Sequence, residues 1–229
     1  YVGSGAFAHK AGLHVSAIKR ARDAYEHVEP ELVGNGTRFV VSEMAGKATI
    51  EIKAEELGIA LDPVALNTVI LDLKRLEHEG YHFEAADASL ELLMRRAGGW
   101  QQEFFRVESM RVITDELPNG DFTTEATVKA WVGETRHVFT AEGNGPVNAI
   151  DTALRSALGA AYPQVSRVHL TDYKVRILDG VAGTGAKTRV LITSTDGKRE
   201  WGTVGVSENI IEASLQALVD SMEFALLKK

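Results

Sequence analysis

Two histidines and a tyrosine near the start of the chain are the residues best suited to proton chemistry. His14 stands five residues after His9 and eleven before Tyr25, in the stretch AFAHKAGLHVSAIKRARDAY. Were this stretch helical, five residues would separate the two imidazoles by about 140° around the axis, so they do not chelate one metal together. Each must act alone. An imidazole with an unperturbed pKa of about 6.5 can give and take a proton near neutrality, and a phenol eleven residues on can partner it. The same residues also fit an ordinary surface or core histidine.

Other chemistry-like strings weaken on inspection. His78-Glu79-Gly80-Tyr81-His82 has the HExxH spacing of zinc proteases, which requires both histidines on one helix face. Gly80 ends the preceding helix and throws His82 out of register. GVAGTGAKT at 180–188 resembles a phosphate loop, yet Ala186 separates the glycine from Lys187 and the string joins two strands, which makes it a hairpin loop. Gly3-Ser4-Gly5 has neither a preceding strand nor an acidic ribose partner. No metal site is expected. Gly143-Asn144-Gly145-Pro146 opens a helix, where backbone N–H groups can donate to a carboxylate or the residues simply form a tight turn and cap.

The elements that must position these groups fall into two classes, an α+β arrangement. Helices are expected at 9–24, 43–57 (with Ile50, Ala54 and Leu57 inward), from Pro63 behind an Asp62 cap to Gly80, and from about Glu84 to the Gly98-Gly99 boundary. Helical periodicity then gives way to alternation. Strands are expected around 105–112, 123–131 and up to Phe139, followed by a helix carrying Val147, Ile150, Leu154 and Leu158. The order recurs as strands at 168–178, 188–195 and 201–206 and a helix at 207–227. The reading is a helical domain at 1–98 and a duplicated βββα domain at 99–229, with repeats at about 100–160 and 165–229 and a sheet backed by helices on one side.

Composition excludes several classes. A net charge of −7, with 25 basic and 32 acidic residues interspersed, argues against nucleic acid as a partner. The absence of cysteine rules out disulfides and thiolate chemistry. No apolar run approaches the roughly 20 residues that span a bilayer, so a soluble, cytoplasmic protein without a membrane partner is expected. A start at Tyr1 rather than Met reads as the C-terminal piece of a longer protein.

The text around these motifs resembles the acetyl-CoA-dependent Claisen synthases, the family of 2-isopropylmalate, homocitrate and citramalate synthases. FAHKAGLHVSAI, YEHVEPELVGN and LKRLEHEGYHFEAADASLELL are similar to the linker that follows the catalytic barrel. EGNGPVNAIDTAL, LTDYKVRILD and WGTVGVSENIIEASLQALVDS resemble the C-terminal regulatory, dimer-forming domain. Within the family the match is closer to the bacterial citramalate synthase branch than to 2-isopropylmalate synthase.

The resemblance implies condensation of acetyl-CoA with a 2-oxoacid, pyruvate in the isoleucine route or 2-oxoisovalerate in the leucine route. It implies a divalent metal in a barrel absent from this chain, so the chain itself holds no cofactor. His14 would be an acid/base participant and Tyr25 its partner, contributed across a homodimer. The regulatory domain would bind a branched-chain amino acid, isoleucine first and leucine second. The expected site takes the carboxylate at Gly143, Asn144, Gly145 and Pro146, the ammonium at Asp172 beside Tyr173, and the tail at Val147 or Ile177. A non-catalytic amino-acid-binding or dimerisation module is the competing reading.

Overall fold

The computed structural model describes residues 3, 6–9, 17, 18, 21, 26, 28–41 and 46–227. Contacts divide the chain into two compact units, Tyr1–Glu84 with Leu90–Trp100, and Ala85–Ser89 with Gln101–Lys229.

The first unit is mainly helical. The helix expected from residue 9 gives way at its start to a two-residue strand, β1 (Ala8–His9), paired in parallel with β2 (Arg38–Phe39). Residues 17 and 18 are helical, and Ala21 N–H reaches Ala17 O; the rest of that stretch lies outside the described residues. Helix α1 (Lys47–Leu57) begins later than the expected 43 because Gly46 is extended, and stops at Gly58, whose φ of 64° suits a residue without a Cβ. Helix α2 (Pro63–Glu79) starts where Asp62 accepts Ala65 N–H at 2.7 Å, with Pro63 in the first position, where its missing N–H costs nothing. Its buried stripe is Leu66, Val69 and Leu73, and the left-handed Gly80 (φ 112°) ends it. Helix α3 (Asp87–Ala97) follows a short turn at Phe83–Ala85 and buries Leu90, Leu92 and Met94.

The second unit repeats one motif. Strands β3 (Arg106–Glu116), β4 (Phe122–Val132) and β5 (Thr135–Gly143) form an antiparallel sheet with β4 central, followed by α4 (Pro146–Gly159). Strands β6 (His169–Ile177), β7 (Thr188–Thr195) and β8 (Glu200–Ser207) repeat the order with β7 central, followed by α5 (Ile210–Leu227). The fold is therefore α+β with a βββα duplication, built on two three-stranded sheets instead of one. A bulge interrupts the first strand of each repeat, between Val107 and Ser109 and between Leu170 and Asp172.

Alternation in the central strands sets the core. Ala126, Val128 and Ala130 of β4 are buried under Ile150, Leu154 and Leu158 of α4; Val190 and Ile192 of β7 lie under Leu218 and Met222 of α5. Each helix covers its own sheet, and α4 also touches α5. Helix α5 was expected from Ser207 but starts at Ile210, because Ser207 and Asn209 cap it: Ser207 Oγ accepts Asn209 N–H at 3.0 Å and Asn209 Oδ1 accepts Ile211 N–H at 2.9 Å.

Strand β8 is an edge strand whose residues 201–206 are all buried. An edge N–H without a partner would be costly there. Side chains supply the acceptors: Asp87 Oδ1 for Gly202 N–H (2.9 Å), Ser89 Oγ for Val204 N–H (3.1 Å) and Gln216 Oε1 for Val206 N–H (3.0 Å). Ser89 in turn donates to Asp220 at 2.6 Å. The edge is closed without a fourth strand.

A Cβ on Gly205 would lie 2.0 Å from Ala213 O, so α5 sits directly on the backbone of β8. Gly205→Ala is expected to lower stability by about 1–3 kcal/mol, the usual range for overpacking. Urea unfolding of the chain checks this, and an unchanged midpoint would contradict the close approach.

Candidate functional site

A concave site in the second unit lies between the start of α4 and the start of β6, a cavity of about 570 Å³. Its geometry begins with Gly143. A Cβ there would stand 2.4 Å from Ala149 N, so only glycine lets β5 turn this tightly into α4. Gly145 is extended, Pro146 takes the first helical position, and Asn148 Oδ1 accepts Asn144 N–H at 3.1 Å. No side chain caps this helix start. The first-turn N–H groups of Val147 and Asn148, both lining the cavity, thus have no acceptor within the helix.

One turn on, Asp151 accepts Arg155 Nε at 2.8 Å through Oδ2. Arg155 also donates to the carbonyls of Val165 (3.1 Å) and Val168, tying α4 to the turn that precedes β6. Asp151 Oδ1 is buried and has no hydrogen-bond partner among the described residues. Such an atom is costly unless something pairs with it. Val147, Val168 and Leu170 add apolar side chains to the lining, beside Ser166 and His169. Tyr173 completes it, its hydroxyl donating to Ser214 Oγ (2.8 Å), which donates to Ile210 O (2.7 Å).

The residues expected at an effector site separate into three groups. Val147 and Tyr173 line the cavity. Gly143, Asn144, Gly145 and Pro146 build its turn without lining it. Asp172 and Ile177 lie elsewhere: Asp172 is opposite Thr193 on the face away from the helix and pairs with Lys174, while Ile177 is exposed opposite Thr188 at the far end of β6. The hydrogen bond from Lys174 holds the Asp172 carboxyl below its ordinary range. Asp151, Arg155, Val168 and Leu170 were not foreseen; the Asp-x-x-x-Arg spacing on α4 was the available signal.

His14 and Tyr25 lie outside the described residues. His78 sits in the last turn of α2, Gly80 breaks that helix, and His82 lies beyond it, 3.7 Å from Glu84, so the HExxH string is not a helical chelate. Residues 180–188 form a hairpin loop with a short 3-10 turn between β6 and β7, opening no helix. Among the described residues no group of three or more metal-ligating side chains is found, and no helix is long and apolar enough to cross a membrane.

A duplicated βββα unit preceded by helices, with a mixed polar and apolar cavity between its repeats, defines a regulatory-domain architecture. Residues 84–226 match the LeuA allosteric (dimerisation) domain, and the chain belongs to that family. Residues 1–81 match the homocitrate synthase post-HMGL domain-like family. The chain is 55% identical over 231 residues to the (R)-citramalate synthase of Streptomyces coelicolor, covering 100% of this chain and 43% of that protein. It is 50% identical over 235 residues to the (R)-citramalate synthase of Aquifex aeolicus (100% and 44%), and 32% identical over 234 residues to the 2-isopropylmalate synthase of the same organism (100% and 42%). The chain spans less than half the length of these relatives and corresponds to their C-terminal part.

Proposed function

We propose that this chain is the linker and regulatory part of a citramalate synthase, joining acetyl-CoA to pyruvate in the whole protein, and that its cavity binds a branched-chain amino acid. The pair of Aquifex aeolicus proteins supports the branch: against two synthases of one organism, identity is 50% to the (R)-citramalate synthase and 32% to the 2-isopropylmalate synthase. A 2-isopropylmalate synthase is the second reading. The name of the matched family supports a homodimer. The divalent metal and the acetyl-CoA and 2-oxoacid sites belong to a barrel outside this chain, and the described residues offer no ligand set for the metal. The chain's share of the chemistry is His14 as acid/base participant and Tyr25 as its partner.

The observation that carries the effector reading is Asp151 Oδ1, buried without a partner beside an uncapped helix start. A zwitterionic amino acid satisfies both ends at once. Its carboxylate accepts from Val147 and Asn148 N–H, its ammonium pairs with Asp151, and a branched tail lies on Val168 and Leu170. Asp151 thus takes the role first given to Asp172. Isoleucine is the preferred effector and leucine the second.

Three outcomes are expected. Isoleucine at 1 mM, for a Kd of about 10 μM, adds about 2.7 kcal/mol by mass action, a clear rise in the melting temperature of this chain, and Asp151→Asn abolishes the rise. No shift with either amino acid would leave a dimerisation scaffold. In the full-length enzyme, His14→Ala lowers turnover by about 10²-fold or more with little change in stability; steady-state kinetics beside thermal melts decide it. This chain alone releases no CoA from acetyl-CoA and pyruvate, and measurable release would refute the assignment of the substrate sites to the barrel.

A further inference from the structure

The second unit carries another cavity, of about 430 Å³, between the turn that precedes β6 and the β7–β8 hairpin turn. It shares Val168 with the cavity beside α4 but none of that cavity's charged residues. Its own charges are three cations, Arg167, Lys198 and Arg199, against one carboxylate, Asp196. In a chain of net charge −7, a cationic concavity runs against the overall composition. The one carboxylate is already occupied. Asp196 Oδ1 accepts the backbone N–H groups of Lys198 (2.9 Å) and Arg199 (2.8 Å), and its Oδ2 accepts Nε and Nη2 of Arg199 at 3.1 and 2.6 Å. The Arg199 side chain, with those amides, holds the Asp196 carboxyl well below its ordinary range, so it stays ionised and keeps the guanidinium in place. Arg167, Lys198 and the half-buried Gln164 have no side-chain partner among the described residues. Elsewhere in this unit Arg136, Arg155 and Lys174 each have a carboxylate.

The backbone on both sides of this cavity is fixed by hydrogen bonds of its own. In the hairpin turn, Thr195 Oγ1 accepts Gly197 N–H (3.0 Å) and donates to Arg199 O (2.7 Å), and Gly197 takes the left-handed conformation (φ 84°) that suits glycine. On the other side, Arg155 holds the carbonyls of Val165 and Val168, which flank Arg167 in the chain, and Ser166 Oγ donates to Pro163 O at 2.7 Å. Cations gathered in a concavity without counter-charges repel one another and draw anions in. Guanidinium groups present planar forks of N–H that match phosphate and carboxylate oxygens, and an ammonium adds a point charge. The buried Val168 and Ala225 add apolar surface beside those charges, a combination suited to an organic ligand more than to a bare ion. We propose that this cavity binds a small organic dianion, a phosphate ester or a dicarboxylate, whose oxyanion meets Arg167, Lys198 and Arg199 and whose carbon skeleton lies on Val168 and Ala225. The Gln164 amide supplies a neutral donor and acceptor for a hydroxyl on that skeleton. A zwitterionic amino acid gains little here, because no carboxylate is left to take its ammonium. The site is thus independent of the effector reading of the first cavity.

The test is calorimetric titration of this chain at low salt and about pH 8, where a phosphate monoester and a dicarboxylate are both essentially dianions. The probes are inorganic phosphate, phenyl phosphate and phenylsuccinate. Saturable one-site binding is expected for at least one organic probe, about threefold or more tighter than inorganic phosphate because its ring covers Val168 and Ala225. The tighter of the two organic probes tells a phosphate ester from a dicarboxylate. Arg167→Ala and Lys198→Ala, both at exposed positions, each weaken that binding by about tenfold, the scale of a lost charge-assisted hydrogen bond. Lys174→Ala, which changes the net charge equally on the surface of β6, leaves it within about twofold. Equal weakening in Lys174→Ala and Lys198→Ala means diffuse attraction and overturns the site. Full affinity in both Arg167→Ala and Lys198→Ala places the anion elsewhere and overturns it too. The proposal also fails if no probe saturates by about 10 mM, or if inorganic phosphate binds as tightly as both organic probes.

Discussion

In each repeat of the second unit the helix lies against the backbone of the strand before it at a place where no Cβ fits. The Cβ that Gly143 lacks would fall 2.4 Å from Ala149 N, and the one that Gly205 lacks would fall 2.0 Å from Ala213 O. Small residues continue the approach. Ala149, Ala153 and Ala157 of α4 and Ala213, Ala217 and Ser221 of α5 are buried against their sheets. The close approach brings the backbone start of α4 to the cavity wall, and it lets Ser214 reach from α5 to Tyr173 on β6. A helix held further from its sheet would lose the dispersion contacts of the core and the geometry of the site together.

Much of this arrangement was readable in the sequence because it rests on local chemistry. Asp62-Pro63 starts α2, Gly58 and Gly80 end α1 and α2, and the alternation of Thr, Ala and Val marks β4, each through a preference that neighbouring residues do not override. The βββα duplication followed from the order of these signals. What escaped depends on contacts distant in the chain or on a register the pattern does not reveal. Residues 8–9 form a strand because β2 lies beside them, some thirty residues later. The start of α5 moved to Ile210 because Ser207 and Asn209 each found backbone donors to cap.

The candidate site shows the same division more sharply. The helix start at Pro146 was legible, and Val147 and Tyr173 line one cavity, whereas Asp172, expected in the same cleft as its neighbour Tyr173, does not line it. Adjacent residues on a strand face opposite ways, and with Tyr173 opposite the buried Ile192, Asp172 is left opposite Thr193 on the outer face. The bulge at Thr171 then brings Leu170, opposite the buried Ser194, onto the same face as Tyr173, where strict alternation would have excluded it. No composition signal marks such a bulge. Asp151 went unnoticed for another reason: an Asp-Arg pair at i,i+4 reads as routine helix stabilisation, and only the burial of Oδ1 separates it from the exposed pairs elsewhere in the chain.

The cavity belongs to neither repeat alone. Its donors and its acid come from α4 of the first repeat, its apolar side chains and Tyr173 come mainly from the approach to β6 in the second, and Tyr173 is tethered to α5 through Ser214. Arg155 already joins the two repeats by binding Asp151 with one nitrogen and the carbonyls of Val165 and Val168 with another. In the proposed reading, a ligand whose cation met Asp151 would add a second counter-charge to a carboxylate that Arg155 holds, and so would act on a polar link between the repeats. Coupling of this kind needs no large movement. It requires only that the ligand favour one arrangement of α4 and β6 over another, since a site shifts an equilibrium by no more than its difference in affinity for the two states.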